Sequence, residues 1–163
     1  MHSQRRLASI LTVALLLVSI TAMRVAAPAA CTLLTTADAS TALEKPSQPG
    51  KEFAGPTSCQ WSNDPAASDS SVRVTLNTHS VRSFQIAMHP AITTITIEPV
   101  SGIGDEAFYQ IYPNGQTPFI WVRKGDNTFD VRIITRLKPK PPFTNDQLKS
   151  KIAVLAKAAV GKL

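Results

Sequence analysis

"EAFYQIYPNGQTPFIWVRKGDNTFDVRIITRL", residues 106–137, decides the fold class of this chain. Three runs rich in aromatic and β-branched residues are separated by turn formers, and each run is short enough for a strand. Asn114-Gly115 and Gly125-Asp126-Asn127 supply the residue types that tolerate positive φ in hairpin turns. In the middle run Phe119 and Trp121 point to one side while Ile120 and Val122 point to the other. Both faces are apolar, so the pattern predicts a central strand covered above and below. In the third run Phe129, Val131 and Ile133 alternate with Asp130, Arg132 and Ile134. The stretch therefore predicts an antiparallel meander.

Upstream, "VRVTLN" alternates Val72, Val74 and Leu76 against Arg73, Thr75 and Asn77, a strand with one wet face, and "CQWSN" at 59–63 is a shorter strand before it. "ITTITIEPV" at 92–100 is β-branched and predicts a further strand. Two short helices complete this half. The first follows Thr35, whose side chain and Asp38 form an acidic capping box, and it is ended by Pro46. The second spaces Val81, Phe84 and Met88 and stops before Pro90. Residues 46–58, rich in Pro, Gly and Ser, read as a loop, and "KPKPPF" as a stiff linker. Beyond it Thr144 and Gln147 box the start of a long helix. Leu148, Ile152, Leu155, Ala156, Ala159 and Leu163 make its apolar stripe opposite Lys149, Lys151 and Lys157. The order helix, two strands, helix, four strands, long helix predicts an α+β fold: one domain, an antiparallel sheet packed by the long C-terminal helix and two short ones.

The chain begins with an address. Arg5 and Arg6 precede the uncharged run "LASILTVALLLVSITAM" (7–23), followed by Arg24 and "VAAPAAC". A basic start, an apolar segment and a small-x-small site predict a secretory signal peptide over residues 1–29, cut between Ala29 and Ala30, with a domain over 30–163. The run sits at the bottom of the membrane-spanning range, so an uncleaved anchor is the competing reading. A third reading makes Cys31 a lipid-modified N-terminus, although Pro28 stands where that motif wants an aliphatic residue. The formal charge is +6, and removal of Arg5, Arg6 and Arg24 leaves +3 on the mature chain. That mild, scattered excess, with a local concentration at Arg132, Arg136, Lys138 and Lys140, lacks the dense basic face of a nucleic-acid binder.

Cys31 and Cys59 are the only cysteines. In an exported chain without CxxC spacing they predict a disulfide rather than a metal or redox site, with lipidation of Cys31 as the alternative for the same sulfur.

The candidate sites are few. Gly102-Ile103-Gly104-Asp105-Glu106-Ala107 satisfies a relaxed dinucleotide fingerprint, but that mechanism needs a helix next, and Phe108 to Tyr112 are strand formers. Gly102, Gly104 and Asp105 instead predict a structural turn in which the aspartate bonds nearby backbone amides. Asp105 and Glu106 with His79 or His89 could ligate a divalent ion, although adjacent carboxylates on a strand diverge. The two histidines flank a short helix and read as exposed. No G-x-S-x-G elbow is present. Trp61, Tyr109, Tyr112 and Trp121 read as core rather than as the lining of a pocket. No catalytic, cofactor or metal residue is assigned.

Taken in order, "CTLLTTADASTALEK", "CQWSN", "SFQIAM", "VSGIGDEAFY", "WVRKGDNTFDVRI" and a final Ala/Lys/Leu helix resemble a widespread group of small exported bacterial proteins. That group is known mainly as a domain of unknown function and includes many lipoproteins. The resemblance spans nearly all of the mature chain and implies envelope location and fold, with no reaction attached. With no catalytic constellation, the expectation is a non-catalytic binding or protein-interaction module acting on an envelope protein or a small apolar ligand. Nucleic acid is not an expected partner, and the membrane is one only through a lipidated Cys31 or a retained leader. The alternative is a small exported metal-dependent hydrolase with its site near Asp105 and Glu106.

Overall fold

A computed structural model describes residues 28–66, 72–113, 117–135 and 142–163. Outside them lie residues 1–27 of the expected leader, the Asn114-Gly115 turn, and Arg136, Lys138 and Lys140.

A 3-10 turn, Ala30–Thr32, leads into helix α1 (Thr36–Leu43). The capping box starts α1 as its sequence requires: the Thr35 side chain accepts the Asp38 N–H at 3.1 Å, and the Asp38 carboxylate accepts the Thr35 N–H at 2.8 Å. The helix ends at Leu43, earlier than Pro46, because Glu44 turns left-handed with φ 56°. The segment read as a loop then contributes a two-residue edge strand, β1 (Lys51–Glu52), before β2 (Ser58–Ser62) and β3 (Arg73–His79). The Ser80 hydroxyl caps α2 (Val81–Met88). Strand β4 covers only Thr96–Val100, shorter than its β-branched run. Its pairing begins at Thr96 opposite Ile111, where β5 (Glu106–Ile111) ends, so Ile92 to Ile95 have no strand to face. Strands β6 (Phe119–Lys124) and β7 (Asn127–Ile134) and helix α3 (Asn145–Val160) follow, the last behind the Thr144–Gln147 capping box.

All strand pairs are antiparallel, in the order β1-β2-β3-β7-β6-β5-β4. The chain leaves β3 through α2, starts again at the far edge with β4, and meanders back until β7 lies beside β3. The fold is α+β, with helices on both faces of a seven-stranded sheet. The free edges are blunted, one by the two-residue β1 and the other by Pro99, which cannot donate to a further strand.

One face is apolar. Val74, Leu76, Ile120, Val122, Phe129, Val131 and Ile133 are fully buried there with Ile152, Leu155, Ala156 and Ala159 of α3 and with Ala39 and Leu43 of α1. Full burial of a side chain of Val, Leu or Phe size contributes about 1.5–3 kcal/mol, so this layer supplies most of the stabilisation. Leu163, assigned to the stripe by spacing, lies beyond the end of α3 and is 36% exposed. Lys149 and Lys151 do not face solvent alone: they reach Glu98 of β4 and Glu44 at the end of α1, each at 2.6 Å, tying α3 to both. The second face carries a smaller cluster in which Phe84 and Ala87 of α2 cover Phe108 and Trp121. Ala87 therefore takes the inward role that spacing gave to Val81, which is 37% exposed.

Cys31 and Cys59 form a disulfide with Cα atoms 5.0 Å apart, so the Cys31 sulfur is not free for a lipid thioether. The bond fastens the N-terminal turn to β2, where Trp61 is buried beside it. Gly50 is required at this place because a Cβ would come within 2.6 Å of the Trp61 indole and 3.0 Å of the Cys59 sulfur. The cysteines are 28 residues apart, and closing a loop of that size stabilises by about 3–4 kcal/mol in the chain-entropy model. Replacing both cysteines by alanine is expected to lower unfolding stability by about that amount, measured by chemical denaturation. An unchanged midpoint would show that the bond constrains little.

Candidate functional site

The second sheet face is where the polar chemistry sits. Across four strands, neighbouring partners place Asn77, Asp130, Trp121 and Phe108 in one file. The next file holds His79, Thr128, Arg123 and Glu106. Asp130 lies in the middle of β7 and is 3% exposed. A carboxylate so placed is costly unless its oxygens are satisfied. Three donor contacts meet it: Asn77 Nδ2 at 3.1 and 3.2 Å, and His79 Nε2 at 2.6 Å. The His79 side chain is 26% exposed, so its reading as an exposed histidine is corrected to that of a half-buried residue bonded across the sheet.

The imidazole is held on every side that matters. Its ring lies over Trp121 with centroids 4.5 Å apart. Trp121 in turn stacks toward Phe108 at 6.3 Å, and Phe108 meets Phe84 of α2 edge-on at 5.2 Å. The Trp121 indole N–H donates to Gln110, whose amide reaches the Ala87 carbonyl of α2. The Thr128 hydroxyl donates to the His79 carbonyl at 2.8 Å and fixes the backbone. Since His79 ends β3 and Ser80 caps α2, the same few residues terminate the strand, start the helix and orient the ring.

His79 and Ser80, together with Lys124, Gly125, Asp126 and Asn127 of the β6–β7 turn and Leu163, line a cleft of about 450 Å³. The volume is in the range of small-molecule sites. The lining residues are polar except for Leu163 and glycine, and the surface they expose is mixed, with aliphatic stems beside the polar tips. None of Trp61, Tyr109, Tyr112 or Trp121 lines it.

The glycine turn does not line this cleft but braces the β6–β7 turn that does. Gly102 and Gly104 have φ of 76° and 62°, a region open to glycine and strained for other residues. Gly104 also presses on the neighbouring hairpin: a Cβ there would lie 2.5 Å from the Arg123 carbonyl oxygen. Asp105 donates its N–H to that same carbonyl at 2.8 Å, and its carboxylate accepts the Gly125 N–H at 2.7 Å and faces Lys124 at 3.4 Å. The aspartate thus bonds an amide twenty residues away rather than one within its own turn. Glu106 pairs with Arg123 at 3.2 Å. Each carboxylate is thereby committed to a different partner from His79. No group of three or more His, Cys, Asp and Glu able to hold a metal comes together among the described residues. His89 caps the C-terminal end of α2, away from the His79 network.

Sequence pattern alone does not mark Asp130 and Asn77 as site residues, and the face of β3 expected to be wet is so only in part: Arg73 and Asn77 are half-buried and Thr75 is 2% exposed. Arg132, read as part of a solvated cluster, stacks on Phe119 at 4.4 Å and donates to Thr75. The available signal is an acid flanked by Phe129 and Val131 in the middle of a strand. Compared with protein-family models, curated proteins and solved structures, the chain finds no significant match.

The Gly125 amide, outweighing a small desolvation penalty and helped by Lys124, holds the Asp105 carboxyl below its ordinary value of 3.8. A lowered folded value means that the stabilising contribution is present above pH 3.8 and is lost as pH falls through the folded value. Asp105→Asn should therefore lower stability near neutral pH, and its deficit relative to the parent should shrink on acidification below pH 3.8. Gly104→Ala, which adds backbone strain of about 1–3 kcal/mol to a steric overlap, should be destabilising at every pH. Denaturation midpoints across pH check both, and a pH-independent Asp105→Asn deficit would reject the linkage.

Proposed function

We propose that this chain is an exported binding module, stapled by one disulfide, that receives a polar ligand of the cell envelope in the cleft between His79 and the β6–β7 turn. The observation that carries the reading is the oriented, partly exposed imidazole of His79 at the wall of a 450 Å³ cleft. Recognition sites are typically concave, with a few polar groups held in place by their surroundings. The lining offers an ammonium on Lys124, a carboxylate on Asp126, an amide on Asn127 and a hydroxyl on Ser80, so a ligand with both donors and acceptors is favoured.

Export is supported by the leader-like start of the chain and by the disulfide, which persists in oxidising compartments. No helix among the described residues is long and apolar enough to cross a membrane. The reading takes the cut between Ala29 and Ala30. The N–H of Ala30 already donates to the Pro56 carbonyl at 2.8 Å, so a new terminal ammonium there keeps a ready acceptor. The metal-hydrolase alternative draws less support, since Asp105 and Glu106 are each engaged with the β6–β7 hairpin.

Two measurements test the reading. Expression of the full chain in a bacterial host should yield a mature protein beginning at Ala30, read by intact mass, whereas a mass that retains residues 1–29 would reject the leader. Amide NMR spectra recorded with polyols, amino sugars and short peptides should show shifts confined to His79, Ser80 and residues 124–127. Shifts elsewhere, or none across the series, would reject the cleft.

A further inference from the structure

We infer that His79 and Asp130 form an acid–base dyad, in which His79 accepts the proton of a hydroxyl-bearing ligand and Asp130 positions the ring. The inference rests on the cleft as the ligand site and adds a chemical capacity to it. An ionised carboxylate can only accept, so the ring nitrogen at 2.6 Å from Asp130 must carry the hydrogen. In the neutral imidazole this leaves Nδ1 with the free lone pair. No described residue donates to that nitrogen.

The groups that satisfy Asp130 also fix the orientation of the ring. Asn77 places two further contacts on the same carboxylate, which fixes the direction of its oxygens. Trp121 bars the ring from rotating away. A carboxylate behind a histidine fixes the tautomer and the direction of the far nitrogen, and it lies beside the imidazolium once that forms. In the transfer the ligand's O–H bond breaks and the Nδ1–H bond forms. The positive charge then sits beside the Asp130 carboxylate, and the oxygen keeps the electron pair. Lys124, which lines the same cleft and pairs with Asp105 at 3.4 Å, is the cation available to such an oxygen.

Diethylpyrocarbonate tests the dyad without knowledge of the ligand, because it carbethoxylates an unprotonated imidazole nitrogen according to how its lone pair is presented and reached. His89, which is exposed and makes no side-chain hydrogen bond among the described residues, is an internal control in the same molecule. In the full oxidised chain at neutral pH, His79 should react at least as fast as His89 although only 26% of its side chain is exposed. Asp130→Asn should slow His79 about tenfold and leave His89 unchanged. The comparison within the parent protein stands even if that variant folds poorly. A His79 rate below that of His89, or one indifferent to Asp130→Asn in a folded variant, would overturn the dyad. An activated His79 in a protein whose cleft amides ignore every polar probe would uphold the dyad and reject the cleft.

Discussion

The pairing of β3 with β7 is the constraint on which the rest of the structure depends. It joins two halves of the chain that are far apart in sequence, since Asn77 meets Asp130 at a separation of 53 residues. Closing so long a loop carries an entropic cost that must be met by contacts made only on arrival. Seven residue pairs from Arg73–Ile134 to His79–Thr128 make the ladder. Val74, Leu76, Val131 and Ile133 bury the apolar side of this seam under the helices. Without the seam, β1 to β3 would be a small sheet with an open edge, and the meander β4 to β7 would be another.

The opposite side of the seam specifies its register. A slip by one residue would turn Asp130 into the apolar layer and bring Phe129 or Val131 out to the polar face. With the native register, the carboxylate finds Asn77 directly opposite and His79 one step along the strand. The buried polar group is therefore costly in every arrangement but one. Burying it contributes more to choosing the arrangement than to net stability. The same contacts that choose the register also hold the imidazole against Trp121, so fold specificity and site geometry come from one set of residues.

The glycine turn before β5 joins this scheme from the other end. Its close approach to Arg123 and the bond from Gly125 to Asp105 hold the β6–β7 turn in place. That turn lines the cleft together with His79. The stretch that most resembles a ligand-binding motif thus shapes the cleft from behind, with its acid spent on the backbone. Helix α2 does the corresponding work on the near side: Ser80 caps it, and Phe84 and Ala87 seat it on Phe108.

What could be read from the sequence alone is whatever is encoded within a few residues. The capping boxes at Thr35 and Thr144, the stripe from Leu148 to Ala159, the alternation in β6 and β7 and the need for glycine at 102 and 104 all have local causes: a side chain meets a backbone group of the same turn, or a period matches a helix or a strand. The cysteine pair was legible because there were only two. The ends of elements were less so, as β4 shows, because a strand stops where its partner stops. Tertiary structure alone decided that β7 lies beside β3, that Thr75 and Asp130 are buried, and that His79 faces a carboxylate from the other half of the chain. Alternation tells which residues share a face, but not what comes to lie against it. A polar residue on such a face looks the same in sequence whether it meets water or a partner fifty residues away.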